Sequence, residues 1–119
     1  MCLAAYYGGN AINKQLAGYV HAFVHSIGAL YHIPHGKAIA FCLIPIIAFQ
    51  KDICLDKIAK LSVYCECAKE EDDKVAAADK FIATLEELLN ACGFERSCDL
   101  IDKKDYKKLV HMINADSIN

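Results

Sequence analysis

Four of the five histidines fall within one short stretch: His21, His25, His32 and His35. His21 and His25 stand at i and i+4 in a segment whose apolar pattern predicts a helix, so both imidazoles project from one face. His35 follows in Pro34-His35-Gly36, and a tight turn there can bring its ring back against His21. Paired imidazoles suit a borderline divalent metal such as Fe²⁺ or Zn²⁺. The surroundings strengthen this reading, because almost no other polar group lies nearby and each buried imidazole would need a partner. Taken singly, any of these residues could be an ordinary core or surface histidine; the His21–His35 pair is what points to a metal. Two imidazoles do not complete a site, since zinc and iron take three or four ligands. Residues 1–50 hold no Asp or Glu, so further ligands must come from the second half, from another chain or from sequence outside these 119 residues.

The seven cysteines offer less. Cys65-Glu66-Cys67 is the one close pair, no C-x-x-C occurs, and the spacing matches no standard zinc motif. Most of them sit in apolar helical patterns and read as reduced, buried small hydrophobes of a cytoplasmic protein.

The elements that must position the histidines are helical. Apolar residues recur at three- and four-residue spacing, and period-two runs are few. The pattern predicts a helix over 1–13, a turn at 14–18, and a second helix over Tyr19–Tyr31, apolar nearly all round and so buried on most sides. A loop, His32–Gly36, follows; Pro34 disfavours helix at Ile33, and Gly36 permits unusual backbone angles. A very apolar helix over Lys37–Phe49 should be kinked or interrupted by Pro45. Asp52 is the expected N-cap of a helix to about Ala68, with Cys54, Ile58, Leu61 and Cys65 on one face. Lys69–Asp73 is a solvated turn and an acidic helix start. Val75, Ala78, Ile82, Leu85, Leu89 and Cys92 form the next stripe, and Gly93 ends that helix. A last short helix begins at Asp102 or Lys103, with Tyr106, Leu109, Val110 and Ile113 as its apolar stripe. The fold class is therefore all-α, a multi-helix bundle.

Charge is divided unevenly along the chain. The net charge is −2, from 13 Lys+Arg and 15 Asp+Glu, yet Lys14 and Lys37 are the only charged side chains before residue 51. The balance argues against a nucleic-acid binder. The longest apolar run, Ala38–Phe49, is interrupted by Pro45 and is too short for a bilayer, which needs about 20 apolar residues. No secretory signal is visible at the N-terminus. A half so poor in solvating groups lies buried or packs against a partner, a second copy of the chain included.

The run Gly18-x-x-His21-x-x-x-His25-x-x-Gly28-x-x-x-x-x-Pro34-His35-Gly36, followed by a helix with Leu43-Ile44-Pro45, resembles the signature of the iron-containing, or group III metal-dependent, alcohol dehydrogenases. All fixed positions are present at the right spacing. Gly9–Asn13 resembles the helix before that signature, and Ala115–Asn119 a segment near the family's C-terminus, so the resemblance covers nearly the whole chain.

The resemblance implies an N-terminal α/β domain that binds NAD(P) and an all-helical C-terminal domain that carries the metal, to which residues 1–119 correspond in part. It implies His21 and His35 as two of four metal ligands, the others being an Asp and a His from an earlier helix. It implies His25 as a catalytic residue between metal and nicotinamide, serving proton relay or shaping the reaction site. His32 matches no fixed role and is expected to be structural or supporting. The implied reaction is reversible hydride transfer between a small alcohol or aldehyde and NAD(P), with Fe²⁺ or Zn²⁺ polarising the alcohol oxygen. Gly8-Gly9 is not a phosphate-binding loop, and neither the nucleotide domain nor the two earlier ligands is present in these 119 residues. The expectation is a fragment of such an enzyme, inactive alone; the alternative is a non-catalytic helical module that binds metal or oligomerises through its apolar first half.

Overall fold

The computed structural model describes residues 1–14, 18–94 and 101–115. Those residues form α1 (Cys2–Lys14), α2 (Tyr19–Tyr31), α3 (His35–Gln50), α4 (Leu55–Tyr64), α5 (Lys74–Ala91), a 3-10 turn (Lys103–Asp105) and α6 (Tyr106–Ala115), with no strand among them. The all-α expectation holds. The chain divides into two compact units, one within 1–39 and 99–119, the other within 40–98.

In the first unit α2 packs on α6. Ala22, Val24, Ser26 and Ile27 of α2 and Leu109 and Ile113 of α6 are buried. The burial of α2 is one-sided, contrary to its all-round apolar sequence: Tyr19 is 54% exposed and Phe23 36%. The reason is that α6 is the one helix α2 packs on among the described residues. On α6 the working stripe is Leu109 and Ile113; Tyr106 and Val110 are exposed. The helix α1 buries no residue.

The second unit centres on α4 against α5. Small residues let the two helices approach: Ala59 and Ser62 on α4, Ala77 and Ala78 on α5, all buried. Asp73 caps α5, accepting the Val75 and Ala76 N–H groups at 3.0 and 3.1 Å. Gly93 ends it as expected, at φ 75°, with Gly93 N–H donating to Asn90 O and Phe94 N–H to Leu89 O. Past the end of α4 the same termination is made by Glu66 at φ 58°, with Glu66 N–H donating to Val63 O and Cys67 N–H to Ser62 O. A glutamate there lacks the glycine that this backbone conformation favours.

Several expectations are corrected. The α4 helix starts at Leu55, not after Asp52, because 51–54 form a turn in which Cys54 N–H donates to Gln50 O while Cys54 O receives Lys57 and Ile58 N–H. It stops at Tyr64, since the left-handed Glu66 turns the chain before Ala68. Its packing face is Ile58, Ala59 and Ser62; Leu61 and Cys65 are exposed. The expectation of mostly buried cysteines fails: Cys42 is buried, Cys54 and Cys67 are half-buried, and Cys2, Cys65 and Cys92 are exposed. The α3 helix runs through Pro45 to Gln50 without interruption. Residues 15–17 of the expected turn, Cys98, and the segment after Ala115 lie outside the described residues.

Candidate functional site

The local sequence explains why the histidines meet. The Gly18 carbonyl receives the His21 N–H at 2.9 Å and opens α2. The i and i+4 spacing then sets His21 beside His25, with ring centroids 6.0 Å apart. The chain reverses at the end of α2. His32 takes a left-handed conformation, φ 55° and ψ 33°, and Ile33 is restricted by the proline that follows it. Pro34 supplies the carbonyl that receives Ala38 N–H at 3.0 Å and starts the next helix. The reversal passes close to Gly28: a Cβ there would sit 3.4 Å from the Ile33 carbonyl oxygen, in ordinary contact.

His35 is thereby the first residue of α3, not part of the preceding loop. Gly36 is helical too, with no positive φ and open space where its Cβ would be, so the turn does not depend on glycine freedom there. The His35 ring lies 5.5 Å from His21, tilted by 46°, and 5.6 Å from His25, nearly parallel at 30°. Three imidazoles thus form a triangle on one face of the first unit. His32, in the left-handed link, is exposed and makes none of the ring contacts found among the other three.

The electrostatics follow from this crowding. His21 is half-buried, while His25 and His35 are exposed. Burial, then the charges of protonated His35 and His25, push the His21 pKa below the ordinary histidine value. The neutral imidazole, which is the form that ligates metals, is favoured at that position. Two imidazoles sharing one tetrahedral metal, at N–metal distances of ~2.1 Å, bring their centroids to about 5 Å. The His21–His35 separation of 5.5 Å is close to that arrangement. Among the described residues no group of three or more His, Cys, Asp and Glu gathers in a metal-holding arrangement.

One contact had no signal in the local pattern. The Tyr31 hydroxyl donates to Asp105 Oδ2 at 2.8 Å and accepts the Asp102 N–H at 3.3 Å. A tyrosine ending an apolar helix needs a partner for its hydroxyl, but nothing nearby in sequence names one 74 positions away.

The fold and the site define an all-helical domain that presents a histidine triangle across a helix–turn–helix reversal. Residues 1–117 match the model of the Fe-containing alcohol dehydrogenase family, C-terminal, and the chain belongs to that family. Alcohol dehydrogenase 4 of Saccharomyces cerevisiae is 49% identical over 43 residues, 36% of this chain and 11% of that protein. The NADPH-dependent butanol dehydrogenase of Clostridium saccharobutylicum is 33% identical over 87 residues, 73% of this chain and 21% of that protein. The crystal structure of a 1,3-propanediol oxidoreductase superposes with a TM-score of 0.78 at 28% identity, covering 84% of this chain and 27% of that one. The chain thus matches about a tenth to a fifth of the length of these two curated relatives. No helix among the described residues is long and apolar enough to cross a membrane.

Proposed function

We propose that this chain supplies half of the metal site, and one reaction-site histidine, of an NAD(P)-dependent alcohol dehydrogenase acting on a small alcohol or aldehyde. The observation that carries the reading is the meeting of His21 and His35, with His21 biased toward its neutral form. His21 and His35 would hold Fe²⁺ or Zn²⁺. When bound, such a metal supplies Lewis-acid polarisation of the alcohol oxygen, favouring release of hydride to NAD(P). His25 stacks on His35 and is exposed, so it can reach an arriving substrate and hold or pass a proton. The neutral His21 imidazole presents a lone pair without first losing a proton. On this reading, sequence other than these 119 residues supplies the remaining ligands and the nucleotide site, and residues 1–119 are part of a helical metal-binding domain.

The isolated chain then has no dehydrogenase activity. NAD(P)-linked oxidation of propanol, butanol or 1,3-propanediol by the purified chain, with Fe²⁺ or Zn²⁺ added, tests this. The expected result is no turnover above buffer, and measurable turnover lost in His21→Ala would overturn the inactive-fragment reading.

A second reading rests on α1, whose Leu3, Tyr6 and Tyr7, at three- and four-residue spacing on one face, are all more than half exposed. An apolar face of that kind fits a non-catalytic module that pairs with another copy of itself. Light scattering separates the two, a discrete oligomer favouring the module and a heterogeneous, aggregating sample the fragment.

A further inference from the structure

We propose that Tyr31 is a positioning residue, and that its hydroxyl, held between Asp105 and the Asp102 backbone, fixes the turn that carries His35 to His21. The inference rests on the reading of His21 and His35 as metal-holding groups for its consequence, but not for its geometry.

Tyr31 is the last residue of α2, and the reversal begins at the next residue, His32, in its left-handed conformation. Three residues further on, His35 opens α3. The orientation of that turn is set by how the end of α2 is held. Helix ends fray unless tied, since their last carbonyls lack intrahelical partners. The exposed His32 and Pro34 bury little surface that could do the tying. Tyr31 supplies the tie. Its hydroxyl donates to Asp105 Oδ2 at 2.8 Å and accepts the Asp102 N–H at 3.3 Å.

The receiving end is itself ordered. The Asp102 carboxylate caps the 3-10 turn, accepting Lys104 N–H at 3.0 Å, and Asp105 N–H donates to Asp102 O at 3.0 Å. That turn leads directly into α6, which packs on α2 through the buried Leu109 and Ile113. The phenol is a neutral donor to a carboxylate, the stronger kind of hydrogen bond, and burial, then the Asp105 carboxylate it bonds, raises the Tyr31 pKa and keeps it protonated. The turn is thus tied at the end of α2 by the Tyr31 bond. Releasing the bond lets the end of α2 fray and the His35 ring move away from His21.

The test uses the full chain and four variants. In Tyr31→Phe and Asp105→Ala the bond is lost. In Asp105→Asn the amide oxygen still accepts from the phenol, and Tyr106→Phe removes an exposed hydroxyl elsewhere as a control. Proximity of the His21 and His35 rings is read by the nuclear Overhauser effect between their ring protons, and affinity for Zn²⁺ alone by competition with a chelating dye. The expected result is loss of the ring–ring effect in Tyr31→Phe and Asp105→Ala, retention in Asp105→Asn and Tyr106→Phe, and Zn²⁺ binding weakened roughly tenfold in the first two. An undiminished ring–ring effect in Tyr31→Phe overturns the proposal. If Tyr31→Phe does not fold, the contrast between Asp105→Asn and Asp105→Ala decides in its place. If the parent chain binds no Zn²⁺, the metal reading fails, while the ring–ring effect still decides the role of Tyr31.

Discussion

The imidazoles of His21 and His35 lie 5.5 Å apart although fourteen positions separate them in sequence. One helix, one left-handed residue and one proline bring them together. His25 completes the triangle from the same face of α2, at 6.0 Å from His21 and 5.6 Å from His35.

The crowding has a pH consequence. Burial first, then the charges of His35 and His25, depress the His21 pKa in the folded chain below the ordinary value of about 6.5. The unfolded chain therefore binds this proton more readily than the folded one. Stability from this group is fully present above about pH 6.5 and is lost as the pH falls through the depressed folded value. Thermal melts from about pH 8 down to about pH 5 should show a falling Tm, and His21→Gln should flatten the fall. An equally steep fall in His21→Gln would show that other groups control the acid response.

Gly28 separates steric from helical effects. A single added carbon would meet the Ile33 carbonyl oxygen at 3.4 Å, which is ordinary contact. Gly28→Ala should therefore be nearly neutral, because contact is offset by better helix propensity. Gly28→Val adds branches that cannot avoid the turn and should destabilise by about 1–3 kcal/mol. Urea unfolding of the two variants checks the contrast; equal loss in both would mean that Gly28 is needed for something other than room.

Ser62 sits at the α4–α5 contact with no exposure, and its hydroxyl has no hydrogen-bond partner among the described residues. Leaving such a group unpaired costs about 1–3 kcal/mol. Ser62→Ala removes it from a site already lined by Ala59, Ala77 and Ala78. The variant should gain about 1 kcal/mol in urea unfolding, with an unchanged dependence on denaturant. A loss of stability would show that the hydroxyl has a partner after all.

How much of this was legible in the sequence depends on distance along the chain. The limits of α2, the stop at Gly93 and the pairing of His21 with His25 follow from spacing within a few turns of helix, as does the reversal at Pro34 that allows His35 to turn back. The start of α4 was misplaced because Asp52 is a good cap in isolation, whereas the backbone of 51–54 continues as a turn and passes the role to Cys54. Leu61 and Cys65 were placed inward by apolarity, but α4 meets α5 through small residues, so Ala59 and Ser62 take that face instead. Exposed cysteines were missed for the same reason, since apolar periodicity cannot say which of two apolar faces finds a neighbour. Tyr31 was invisible because its partners lie more than seventy positions away.

Whether His21 and His35 hold one metal between them decides the proposed role of the chain. Isothermal titration of the chain with Zn²⁺ near neutral pH, repeated for His21→Ala, His35→Ala and His32→Ala, measures it. Weak binding at one site per chain is expected, micromolar or weaker for a site with half its ligands. It should be lost in His21→Ala and His35→Ala, kept in His32→Ala, and weakened in acid, where a protonated imidazole cannot ligate a metal. Binding that persists unchanged in both His21→Ala and His35→Ala, or no binding in the parent chain, would contradict that role.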